Sequence, residues 1–266
     1  MRATRSLALG ARVVMLVVAS AALTACDVVV TSLNAKGKAE DTWSRTYPIT
    51  ANGQVEIVNL NGGIDVVGGE GTQVEVVAER TARAATDDVA REFLKQVEIR
   101  EEVNADRVRL ETKVPSNPEG KRAEIRYRVK VPATVSVRVT DVNGAVEVTG
   151  IKGALKAETT NGGVRGRDLS GAVEATTTNG GIKLAFASLA SGGIRAETTN
   201  GGVDVTIPAS AKADVKLSCT NGGISVDGLK LEGGESSRRR VEGRLNGGGP
   251  SVSLETVNGG IRFSGK

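Results

Sequence analysis

"AETTNGGV" at residues 157–164, "ATTTNGGI" at 175–182 and "AETTNGGV" again at 196–203 write one polar turn three times, with the same residue types at the same places. Aligning on the Asn extends the pattern to Asn61, Asn143, Asn161, Asn179, Asn200, Asn221 and Asn258. Six residues before each stand Val55, Val137, Leu155, Val173, Ile194, Val215 and Val252. Four before stand Ile57, Val139, Ala157, Ala175, Ala196, Leu217 and Leu254, and three after stand Ile64, Val146, Val164, Ile182, Val203, Ile224 and Ile261. Apolar residues therefore alternate with a period of two on both sides of the turn, which predicts a strand, a bend and a second short strand in every unit.

Two architectures compete for such units. Asn-Gly between alternating runs is a strong hairpin signal, because both residues accept positive φ. Against this, Thr159, Thr177, Thr198 and Thr256 recur two residues before the Asn, at Asn spacings of 18, 18, 21, 21 and then 37 residues from Asn143 onward. Coils stacked about 4.8 Å apart would lay these into ladders of identical side chains, whereas antiparallel pairing gives no reason for in-phase identity. The reading favoured is an all-β parallel β-solenoid, or β-helix, of NGG-turn repeats. Ala157, Thr159 and Asn161 would then turn into the stack, with Glu158 and Thr160 turned out.

Composition agrees with a narrow interior. Hydrophobic residues make up 39% of the 266 residues but aromatic ones only 2%, so the core must be built from Val, Ile, Leu, Ala and Thr, which suit a pleated surface. Cys219 takes the ladder position that Thr holds elsewhere and is expected inside as a small hydrophobe.

The first residues read as a leader. Arg2, Arg5 and Arg12 precede the apolar run Val13 to Leu23, which is shorter than the ~20 residues needed to cross a bilayer and suits a signal peptide. It ends in "LTAC", residues 23–26, which resembles the bacterial lipobox. That resemblance implies cleavage before Cys26 and a diacylglycerol on its thiol. The leader holds three of the 35 basic residues and none of the 31 acidic ones, so the remaining chain is almost neutral and gives no electrostatic footprint for nucleic acid. With Cys26 acylated, Cys219 has no disulfide partner in the chain.

The expected organisation is a signal peptide over 1–25, an anchor and polar spacer over 26–46, and one solenoid domain over 47–266. Within it, 47–134 is the irregular part and 135–266 the regular repeats. "TDDVAREFLKQV" offers Thr86 as N-cap, Asp87 and Asp88 in the first turn and Val89, Phe93 and Val97 on one face, which predicts a short amphipathic helix over about 86–97. Arg240, Glu242 and Arg244 cannot line a core, so about 232–250 is expected as an inserted surface loop, its three arginines at 238–240 too short a run to mark a ligand. Phe263 is placed to plug the far end of the stack.

Chemistry is scarce. The chain has no His, which removes the usual triads and Zn sites, and its glycines match neither a phosphate-binding loop nor a calcium-binding repeat. No catalytic residue, metal ligand or cofactor is expected. The outward row Lys156, Glu174, Arg195 and Lys216 and the row Glu158, Thr176, Glu197, Ser218 and Glu255 read as ion pairs across coils. A second outward row, Thr160, Thr178, Thr199 and Thr220, is the candidate ligand face, a column of hydroxyls suited to a repetitive glycan.

The early "VEIVNLNGGIDVVGG", the "RYRVKVP" strand ending at Pro132 and the run of "TNGGV" units together resemble the bacterial DUF4097 family over roughly residues 48–265. The resemblance implies a β-helical domain at the cell envelope, in a family labelled "putative adhesin", and brings no catalytic residues. The expected function is thus a membrane-anchored lipoprotein with a non-catalytic binding or structural module, its partners the lipid on Cys26 and a glycan or envelope protein. An envelope-stress sensor and a carbohydrate-active β-helix enzyme are the alternatives.

Overall fold

The computed structural model describes residues 36–116, 119–189 and 192–266. Each repeat gives the strand before its turn to one sheet and the strand after it to another. The upstream sheet runs Leu231–Glu232, Arg240–Leu245, Ala213–Asn221, Ser251–Asn258, Ile194–Asn200, Val173–Asn179, Leu155–Asn161, Ser136–Asn143, Gln54–Val58, Arg107–Lys113 and Glu98–Asn104. The downstream sheet runs Gly37–Pro48, Gln73–Ala84, Arg122–Pro132, Ile64–Gly69, Val146–Thr149, Val164–Leu169, Ile182–Phe186, Val203–Ile207, Ile261–Gly265 and Ile224–Asp227.

Pairing between successive repeats is parallel in both sheets, as a solenoid requires. Leu155 stands beside Val173, Val173 beside Ile194 and Ile194 beside Val252, and the Thr and Asn positions keep the same register. The alternate apolar residues of both sheets merge into a single buried cluster of Val, Ile, Leu and Ala, with Tyr127, Phe93, Phe186 and Phe263 as its large fully buried members.

Chain order and stacking order part at the end of the array. The repeat over 251–265 lies between the coil of 194–207 and that of 213–227. The cause lies in the long interval before Asn258. Residues 240–245 leave the expected loop and pair antiparallel with Ala213–Asn221 on its outer side, which leaves the inner side for the last repeat. Their parity is the reverse of the array's: Val241 and Leu245 point in and are buried, so Arg240, Glu242 and Arg244 face out, and the short strand Leu231–Glu232 closes the sheet by pairing antiparallel with Arg244 and Leu245. Phe263 is accordingly a core residue between two coils and not an end plug.

The other end also departs from expectation. Residues 37–46, expected as spacer, belong to the strand Gly37–Pro48, paired antiparallel along its whole length with Gln73–Ala84. This strand hides from a periodicity search because it is an edge strand with a mostly exposed polar surface. The helix spans Asp87–Lys95, with the Thr86 hydroxyl accepting from the Val89 N–H at 3.3 Å. It buries Ala90, Phe93 and Leu94 on the two long strands 37–48 and 73–84, whereas Val89 is exposed.

Candidate functional site

The corner at the NGG turn is built from four columns of residues. Innermost, in stacking order, stand Asn59, Asp141, Thr159, Thr177, Thr198, Thr256 and Cys219, all buried. Each Thr hydroxyl donates to the carbonyl of a glycine in the preceding coil: Thr159 to Gly144 at 3.1 Å, Thr177 to Gly162, Thr198 to Gly180 and Thr256 to Gly201, each at 2.8 Å. A buried hydroxyl is thereby satisfied, and each coil is clamped to the next.

Next come the asparagines. Contrary to expectation, those from Asn143 onward are exposed, not turned into the stack. Their amides still form a ladder of one polarity. Asn143 donates to Asn61, Asn161 to Asn143, Asn179 to Asn161, Asn200 to Asn179, Asn258 to Asn200 and Asn221 to Asn258, at 2.8 to 2.9 Å.

The glycine after each Asn is demanded by close approach. A Cβ on Gly162, Gly180, Gly201, Gly259 or Gly222 would lie 1.9 to 2.0 Å from the carbonyl oxygen of the matching glycine in the neighbouring coil. Among these corner glycines only Gly62 has positive φ, at 114°. Hairpin-turn chemistry is therefore not why the glycine recurs.

The outward column was expected as Thr160, Thr178, Thr199 and Thr220. All four are exposed, but they do not form one unbroken row. Because the last repeat is interposed, stacking order reads Leu60, Val142, Thr160, Thr178, Thr199, Val257, Thr220. Leu60, Val142 and Val257 are the exposed apolar members, at 39%, 36% and 42%. Thr178, Thr199 and Thr220, with Thr176, Glu197, Ser218 and Glu255, line a shallow groove of about 290 Å³. The flanking charges pair both along and across strands, Lys156 reaching Glu158 at 2.9 Å and Glu174 at 2.8 Å.

Asp141 is the residue that the repeat pattern did not single out. Only 2% exposed, it stands between Asn59 and Thr159 in the innermost column, and among the described residues neither carboxylate oxygen has a hydrogen-bond partner of normal geometry. Burial pushes its acid up to about 6, the Val142 backbone N–H only partly opposing this. Its signal in the sequence is an acid at an inward position of a column otherwise made of Thr, Asn and Cys.

Cys219 is buried as a free thiol. Cys26 lies outside the described residues. Among the described residues, no group of three or more His, Cys, Asp or Glu is placed to hold a metal ion, and no helix is long and apolar enough to cross a membrane.

A model of the family described as Toastrack DUF4097 matches residues 127–263. Among solved structures, a "putative cell adhesion protein" from Clostridium sporogenes is 14% identical, covering 85% of this chain and 100% of its own, at a TM-score of 0.46. A "putative adhesin" from Bacteroides fragilis is 11% identical, covering 85% and 97%, at 0.37. A "putative lipid binding protein" from Parabacteroides distasonis is 10% identical over the same shares, at 0.29. No curated protein matches the sequence.

Proposed function

Because the chain belongs to the Toastrack DUF4097 family, we propose that it serves as a non-catalytic, adhesin-like binding or structural module at the cell envelope, held to a membrane through acylated Cys26. The proposed organisation is a leader over 1–25, lipidation at Cys26 and a single solenoid as the functional body. The "LTAC" sequence at the end of the apolar leader supports the anchor.

The observation that carries the binding reading is the exposed, in-register hydroxyl column of Thr160, Thr178 and Thr199, continued past Val257 by Thr220. Parallel coils repeat a contact every 4.8 Å or so, which suits a ligand that itself repeats, such as a glycan chain. Such a surface gains affinity from many weak contacts in line.

The test is a glycan and peptidoglycan array probed with the chain beyond the leader and with a Thr160/Thr178/Thr199/Thr220→Ala variant. Binding that the variant loses is the expected result. An array without any bound glycan would sink the adhesin-like reading in favour of a sensor that passes a signal to an envelope protein. Release of new reducing or unsaturated sugar ends would establish an enzyme instead.

A further inference from the structure

Three strands of the downstream sheet are longer than the repeats and overrun the corner. The Ile125 N–H donates to the Asn61 carbonyl at 2.8 Å and the Tyr127 N–H to that of Gly63 at 3.0 Å, so residues 121–124 project beyond the turn. Beside them run the end of Gln73–Ala84 and the start of Gly37–Pro48, with Arg122 opposite Arg83 and Arg83 opposite Lys38. This ledge and the corners of the first two coils enclose a groove of about 920 Å³.

The charge of the groove is one-sided. Arg83, Lys121, Arg122 and Arg126 line it against the single carboxylate of Glu124. Among the described residues, these four cations take part in no salt bridge, Lys121 resting 5.8 Å over the Phe93 ring, and nearby acids are already engaged: Glu40 with Lys38 at 2.6 Å, Glu79, which stands opposite Arg126, with Arg128 at 2.5 Å, and Asp87 with the Lys38 N–H at 2.9 Å.

The amide ladder adds a second feature. Its donors all point toward Asn61, which accepts from Asn143 and itself lines the groove. The amide N–H of Asn61 donates to no group among the described residues, so the positive end of the amide row opens into the same space.

The entry point of the chain supplies the third. Gly37 pairs with Ala84 at this ledge. Ten residues, 27–36, separate it from Cys26. A link of that length spans at most about 36 Å even when fully extended.

From these three observations we propose that the groove docks the phosphate of anionic lipid headgroups in the membrane that carries the anchor. The nearness of that membrane rests on the acylation reading above; the complementarity of the groove does not. Arg presents planar, paired donors to phosphate oxygens, and a cluster of basic residues beside an anchor strengthens attachment to an anionic surface.

The experiment separates docking from anchoring. The chain lacking residues 1–26, whose described part is one compact unit with its own core, is sedimented with vesicles of phosphatidylglycerol and phosphatidylethanolamine, or of phosphatidylcholine alone. Binding to the anionic vesicles only, weakened by salt, is expected. It should fall at least tenfold in Arg83→Gln/Arg122→Gln/Arg126→Gln and stay unchanged in Arg238→Gln/Arg239→Gln at the opposite end. All five arginines are exposed, and circular dichroism checks that both variants fold as the parent does.

Absent binding, equal binding to neutral vesicles, or equal loss in both variants overturns the proposal. Inorganic polyphosphate is the further arm. Capture of polyphosphate through the same arginines without any binding to vesicles also overturns the lipid assignment, in favour of a soluble phosphate polymer. The anchor is read independently, by whether full-length Cys26→Ala leaves the membrane fraction.

Discussion

The carbonyl oxygen of Gly162 lies 2.0 Å from where a Cβ on Gly180 would stand, and the same oxygen accepts the Thr177 hydroxyl at 2.8 Å. One atom thus sets both the contact limit and the clamp between two coils. Gly180→Ala must push the coils apart or bend them, and is expected to destabilise by about 1–3 kcal/mol or more. Its neighbour is the control. A Cβ on Gly181 would stand 3.4 Å from the Gly202 carbonyl, and Ala145 already occupies the equivalent position in another coil, so Gly181→Ala should cost less than about 1 kcal/mol. Urea midpoints of the two variants, measured together, decide the matter; equal shifts would refute the steric account.

Asn179 both donates to Asn161 and accepts from Asn200, each at 2.9 Å. Asn179→Ala interrupts the ladder in the middle and should cost about 1 kcal/mol, since water replaces part of what is lost at an exposed site. Asn221 ends the row and makes a single such bond, so Asn221→Ala should cost roughly half as much. Thermal melts of both variants provide the check, and a larger effect at the end than in the middle would contradict it.

Asp141 makes stability depend on pH in an unusual direction. Its folded acid is raised from the ordinary 3.8 to about 6, so the folded chain holds this proton more tightly than the unfolded one. The contribution is fully present below pH 3.8 and is lost as the pH rises through 6. Asp141→Asn removes the titration and supplies a donor like Asn59, whose amide reaches the Gly62 carbonyl of its own turn and the Ile125 carbonyl of the neighbouring strand, each at 3.0 Å. The variant should melt higher than the parent at pH 7.5, with the gap narrowing toward pH 4.5. A gap independent of pH would show that the charge is not the cause.

Val257 breaks the outward hydroxyl column between Thr199 and Thr220. Val257→Thr is nearly isosteric and sits on the surface, so folding should be unaffected. If a glycan lies along the column, one added hydroxyl should tighten its binding by roughly 2- to 10-fold, the value of one net hydrogen bond. Titration of the array's best glycan against parent and variant measures this, and unchanged or weaker binding would count against a ligand on this face.

The strands of the regular half were legible because their inward residues repeat at period two and their polar ladder positions repeat in phase, as at Thr159, Thr177, Thr198 and Thr256. Stacking order was not, because nothing in the strand sequences of 194–207 and 213–227 distinguishes a neighbour in the chain from a neighbour in space. That order is set by Val241 and Leu245, whose parity is masked by the arginines around them. The strand Gly37–Pro48 escaped notice because it is held by its partner Gln73–Ala84 and by backbone pairing, not by an apolar face of its own. For the candidate site, each Thr could be placed outward from sequence, but the gap at Val257 follows only from the topology.

Interposition of the segment 251–265 has a consequence for how the array fails. In a simple stack, the final coil can fray away and leave the others intact. Here that segment is a keystone: it is bonded on both flanks, and Lys266 exchanges backbone hydrogen bonds with Ile207 and Ala209. Cleavage in the loop before it, with release of the piece, would split the array into two blocks, each baring a fresh parallel edge. Proteolysis at one place would thus turn one continuous stack of coils into two surfaces prone to aggregate.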